Sequence, residues 1–171
     1  LQANGIYIDS TVFPGGYYKS SAQHYDFRGV QPYNTSYHFS EDLTIAQPEG
    51  HFKEVPISSY KLSPFFFWKF VYNKLQKKEK HEAFGNGRAI SKTKKDTLKL
   101  LTKPSISVVS IDGYKSTYLK KAYHNYNKNT NGRGDFVIIG HPKALTPYSI
   151  SKLDKFVKKS YESNQFKTFQ D

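Results

Sequence analysis

Apolar positions in this chain recur on two different periods, and the switches between them mark out its elements. Ile6, Tyr7 and Ile8 form a short apolar segment that ends in Asp9 and runs into a loop at Pro14-Gly15-Gly16. Residues 20–48 are polar and aromatic with scattered turn signals, and they read as a long ordered loop holding short strands. Residues 51–58 alternate well enough for a strand, with Pro56 placing it near an edge or bulge. Ser63-Pro64 opens an aromatic-rich helix to about Lys78, because Pro is tolerated in a first turn. Residues 80–103 combine a Gly-Asn-Gly turn with a second, Lys-rich helix that stops before Pro104. Residues 106–111 read as a buried strand leading to Asp112-Gly113. Residues 114–127 then place Tyr118, Leu119, Ala122, Tyr123 and Tyr126 on one helical face. After a turn at 129–134, residues 136–139 form a continuous apolar strand ending in Gly140-His141-Pro142. Thr146 or Ser149 caps a last helix to about Glu162, with Ile150, Leu153, Phe156 and Val157 inward, and residues 166–169 suggest a final strand.

Strand, helix, strand, helix, strand is the order of parallel βαβ units, so the fold class is α/β. Ligands and chemistry in such sheets gather at the C-terminal strand ends. Three expected strands end in an ionisable side chain: Asp9, Asp112 and His141.

Composition narrows this reading. Only 37% of the 171 residues are hydrophobic, but 14 Tyr and 13 Phe supply enough side-chain volume for a packed core. The net charge of +12 invites a nucleic-acid reading, and residues 69–103 hold eleven basic residues against Glu79, Glu82 and Asp96. Nearly all of them are Lys, with only Arg28, Arg88 and Arg133 in the chain, which fits a solvated face better than a surface for phosphates and bases. No nucleic-acid partner is therefore expected. Without Cys, thiol catalysis, disulfides and Cys-held zinc are excluded. The longest apolar run, residues 65–68, is far too short to span a bilayer. The chain opens at Leu1 with no Met anywhere, as a processed product or a piece of a longer protein would.

His141 follows an apolar strand between Gly140, which permits a sharp turn, and Pro142, which fixes the exit. An imidazole held there can move protons near neutral pH, or it can simply be hydrogen-bonded into a strand-to-helix turn. Asp112 lies one βα unit earlier and could orient that imidazole, or it could serve locally at a helix N-terminus or Asx turn. Asp9, before Ser10 and Thr11, carries the same two readings. The remaining histidines show no His-x-x-x-His spacing, and Arg133-Gly134-Asp135 reads as a tight turn.

Residues 136–149 (FVIIGHPKALTPYS), residues 4–17 (NGIYIDSTVFPGGY) with Tyr25-Asp26-Phe27-Arg28, and the Glu-Val-Pro strand at 51–58 resemble polysaccharide deacetylases of the NodB-like type. The likeness is patchy between Tyr72 and Lys103. It implies that residues 1–171 are the C-terminal portion of one (β/α)7 barrel, with parallel strands, covering helices and a long irregular aromatic-rich loop. It also implies metal-assisted hydrolysis of N- or O-acetyl groups on a polysaccharide. Such enzymes hold a divalent metal, usually zinc, with residues of N-terminal motifs that this chain does not contain. The resemblance gives His141 the role of acid, with Asp112 first and Asp9 second as the carboxylate orienting it. Arg28, Tyr17 and Tyr33 are the candidate substrate-binding residues. A cell-envelope or secreted setting is suggested by the family alone.

The rival reading is a non-catalytic carbohydrate-binding module on the same fold. Four or five strands are too few to close such a barrel. The chain is therefore expected beside another chain carrying the rest of the fold, or in a self-associated dimer.

Overall fold

The computed structural model describes residues 5–21, 23–30, 35–86 and 94–166, and shows there a mixed α/β chain with three small sheets and four α-helices. The described residues gather into two compact units. The first comprises those of Leu1–Ser59 and Ala122–Ile138, the second those of Tyr60–Lys121 and Ile139–Phe166.

In the first unit, β1 (Ile8–Asp9) pairs in parallel with β5 (Phe52–Glu54), and β4 (Tyr37–Phe39) pairs antiparallel on the other side of β5. Asp9 and Tyr37 are both in register with Glu54, so three oxygen-bearing side chains form one row across the sheet. β2 (Tyr17–Lys19) and β3 (His24–Asp26) make a separate antiparallel pair. The core is Val12, Phe27 and Val30, with Phe13, Tyr25, Tyr37 and Leu43 packed against it. Phe13 meets the rings of Tyr25 and Phe27 edge-on at 5.4 and 5.6 Å, the favoured aromatic geometry. These aromatics therefore anchor the long loop.

In the second unit, β6 (Ser59–Leu62) pairs with β7 (Ser105–Val108), and α1 (Pro64–Leu75) packs on α2 (Lys94–Thr102). Leu62, Phe66, Val109, Leu119 and Phe156 are buried. Phe66 packs on the rings of Tyr114 and Tyr118. α4 (Pro147–Ser160) lies on the 3-10 turn Gly113–Tyr118. Its start is fixed by a reciprocal cap: the Ser149 N–H donates to Thr146 Oγ1 at 3.0 Å, and the Thr146 N–H donates to Ser149 Oγ at 2.9 Å. α3 (Leu119–Thr130) contributes Leu119 to this unit and Ala122 and Tyr126 to the first.

Several expectations change. The two sheets of the first unit each include an antiparallel pair, β1–β5 and a Ser110–Ile139 bridge are parallel, and no barrel closes among the described residues. Residues 136–139 do not form a ladder strand. In the first unit Val137 exchanges hydrogen bonds with Ser58, accepting from its N–H at 3.1 Å and donating to its hydroxyl at 3.0 Å. The helix expected from residue 114 begins as a 3-10 turn, and Ile150 faces outward. α1 ends at Leu75, three residues earlier than expected, and Lys77 follows in the left-handed region at φ 43°. The expected strand at 166–169 falls mostly outside the described residues. So does Tyr33.

Candidate active site

Two segments of the second unit run side by side into the site. The Ile139 N–H donates to the Val109 carbonyl at 3.1 Å and the Ile111 N–H to the Ile139 carbonyl at 2.9 Å, a parallel crossing centred on Ser110 and Ile139. Each segment then delivers one functional side chain, Asp112 from the first and His141 from the second. Gly140 makes the crossing possible, though not by a special backbone angle, since its φ lies outside the left-handed region. A Cβ placed there would stand 2.5 Å from Ile111 Cγ1, so the missing side chain is what lets Ile111 fit. Pro142 opens a single 3-10 turn, Pro142–Ala144, closed by the Ala144 N–H on the His141 carbonyl at 2.8 Å.

Asp112 grips the histidine at two points. Oδ1 accepts the His141 backbone N–H at 2.8 Å, and Oδ2 lies 2.8 Å from Nδ1. An ionised carboxylate can only accept, so Nδ1 carries the proton and Nε2 is left to gain and lose one. Among the described residues Nε2 has no hydrogen-bond partner. The His141 side chain is 56% exposed while that of Asp112 is 20% exposed, which presents the reactive nitrogen and shelters the group that orients it. Burial acts to raise the Asp112 pKa, but the hydrogen bonds from His141 and Ser110 outweigh it and hold the carboxyl below its ordinary range. Asp112 stands directly before the Gly113–Tyr118 turn, yet its side chain does not cap it.

Asp9 takes the local role instead. Its Oδ1 accepts the Ser10 N–H at 2.9 Å and the Thr11 hydroxyl at 2.7 Å, and the carboxylate on His141 Nδ1 is that of Asp112. Arg28 forks onto Asp26, with Nε 2.8 Å from Oδ1, and its guanidinium lies 4.2 Å from the centre of the Tyr17 ring. The Arg28 hydrogen bonds pull Asp26 down to about 2. Arg28 thus has its charge matched and one face of Tyr17 is covered, while both side chains stay exposed.

Glu54 escaped the sequence reading. It is completely buried; Oε1 accepts the Val12 N–H at 3.1 Å, and no hydrogen bond of ordinary length reaches Oε2. Burial, and then the charge of neighbouring Asp9, push its pKa from 4.5 up to about 7. Its sequence signal was its place inside the strand expected at residues 51–58, directly before the apolar Val55-Pro56-Ile57, whereas the observed β5 ends at Glu54. Full burial keeps Glu54 from touching a substrate, and it serves to hold the Thr11–Val12 backbone.

No group of three or more His, Asp or Glu side chains converges on a common point among the described residues. No family model, curated protein or solved structure matches this chain.

Proposed function

We propose that the chain supplies the acid histidine of a hydrolase that removes acetyl groups from a polysaccharide, with His141 as proton donor and Asp112 as the residue that positions it. The observation that carries this reading is the double contact of one carboxylate with the backbone N–H and Nδ1 of His141 at the end of a parallel crossing. In the proposed step, protonated Nε2 gives its proton to the departing amine or alkoxide of the sugar, and Asp112 keeps the ring turned toward it. The resemblance to NodB-like deacetylases supports the substrate class, the barrel of which this would be the C-terminal portion, and a divalent metal held by residues outside this chain.

The test is acetate release from acetylated glucosamine oligomers by the native gene product with added zinc. His141→Ala should lower kcat by about a hundred- to ten-thousandfold. Asp112→Asn should lower kcat with little change in KM. No acetate release by the wild type, or full activity in His141→Ala, would remove the proposal.

A further inference from the structure

One face of α1 carries large apolar side chains that the second unit leaves uncovered. Phe65, Trp68, Tyr72 and Leu75 are 65%, 56%, 62% and 75% exposed. Their spacing of three, four and three residues lines them up along one side of the helix, opposite the buried Phe66. Four large exposed side chains in one row form the kind of patch that soluble surfaces seldom keep without a partner. Lys69 flanks the row, its ammonium 4.6 Å above the Phe65 ring, and Lys74 adds a charge in the last turn of the helix. Exposed Lys77, Lys78 and Lys80 follow directly, and α2, which packs on α1, adds exposed Lys94, Lys95 and Lys99 with Leu98 at 62% exposure.

We infer that this face of α1 docks on an anionic lipid bilayer surface, the aromatic row entering the interface and the lysines meeting the headgroups. Trp, Tyr and Phe are the residues that settle best at the boundary between headgroups and acyl chains, while lysine stems reach outward from it. The one hydrogen-bonding group of Trp68 is already satisfied, its indole N–H donating to the Leu101 carbonyl at 3.1 Å, so burying the ring leaves no polar group unpaired. A polyanion would use the lysines and leave the aromatic row without a role. A second copy would set the same lysines against one another, in a chain whose net charge is already +12. The helix lies flat on this reading. At 12 residues it is about 18 Å long, and no helix among the described residues is long and apolar enough to cross a membrane.

Trp68 is the only tryptophan in the chain, so its fluorescence reports on this face alone. The 171-residue chain is mixed with vesicles of phosphatidylcholine, or of phosphatidylcholine with phosphatidylglycerol, some carrying brominated acyl chains. With the anionic vesicles the protein should co-sediment, its emission should shift to the blue, and bromine should quench it. Lys69→Gln should weaken partitioning about fivefold. Tyr72→Ser with Leu75→Ser should weaken it about tenfold or more. Both positions are exposed, and an unchanged melting temperature would confirm an intact fold. Equal binding to the neutral vesicles, or no shift with either kind, would overturn the inference. A blue shift that instead grows with protein concentration in the absence of lipid would also overturn it, by assigning the face to a second copy.

Discussion

Replacing Glu54 with Gln should make the stability of this protein less dependent on pH, and by a calculable amount. The folded state holds the Glu54 proton up to about pH 7, against an ordinary value of 4.5. Between those limits the folded state binds more protons than the unfolded state, so the contribution of this group is full below about pH 4.5, falls as pH rises, and is gone above about pH 7. A shift of this size corresponds to about 3 kcal/mol. Gln has the same shape, can still accept the Val12 N–H, and does not titrate. Urea unfolding of both proteins should give stabilities within about 1 kcal/mol of each other near pH 5. Near pH 8 the variant should be more stable by about 3 kcal/mol. Tyr37, which burial and then the charges of Glu54, Asp42 and Asp9 push up to about 12, titrates above this range and does not enter the comparison. A difference that stays flat across this range would show that Glu54 does not carry the proton. A wild type that gains on the variant as pH rises would place a stabilising partner at Oε2.

Further outcomes follow from single contacts. Gly140→Ala should lower stability by about 1–3 kcal/mol, because the added Cβ meets Ile111, and the loss should show as a lower urea midpoint with an unchanged slope. Thr146→Ala removes half of the reciprocal cap of α4 and should cost about 1 kcal/mol by the same measurement. Leu119→Ala, at a site only 2% exposed, should cost about 2–5 kcal/mol. Asp112, held below its ordinary range, contributes stability that is present above the unfolded carboxylate value and lost as pH falls through its folded value. Asp112→Asn should therefore differ from wild type at neutral pH, with the gap closing in acid.

The helices and their caps were open to sequence reasoning because they depend on neighbours three and four residues away. Pro64 begins α1, Thr146 caps α4, and Leu119, Ala122 and Tyr126 face inward as their spacing implies. What a carboxylate does at a strand end was not open in the same way. Asp9 and Asp112 each precede small or polar residues that invite a local turn, yet Asp9 binds Ser10 and Thr11 while Asp112 reaches across 29 positions to His141. Only the parallel crossing at Ser110 and Ile139 separates the two cases, and pairing between distant segments leaves no local trace. The aromatic residues misled for a related reason. A ring fits a core and an interface equally well by composition, and the row on α1 shows itself as exposed only when Phe66 is seen to take the buried side. Glu54 was hidden by the charged Lys53 beside it, although the two point to opposite faces of β5.

The central claim is that Asp112 fixes the His141 ring with its proton on Nδ1 and leaves Nε2 for proton transfer. Long-range proton–nitrogen correlation NMR of the neutral ring reads that arrangement directly. Wild type should show His141 protonated at Nδ1 with Nε2 bare, and Asp112→Ala should shift the ring toward the Nε2-protonated form common in free histidine. A neutral His141 already protonated at Nε2 in wild type, or one unchanged by Asp112→Ala, would contradict the account.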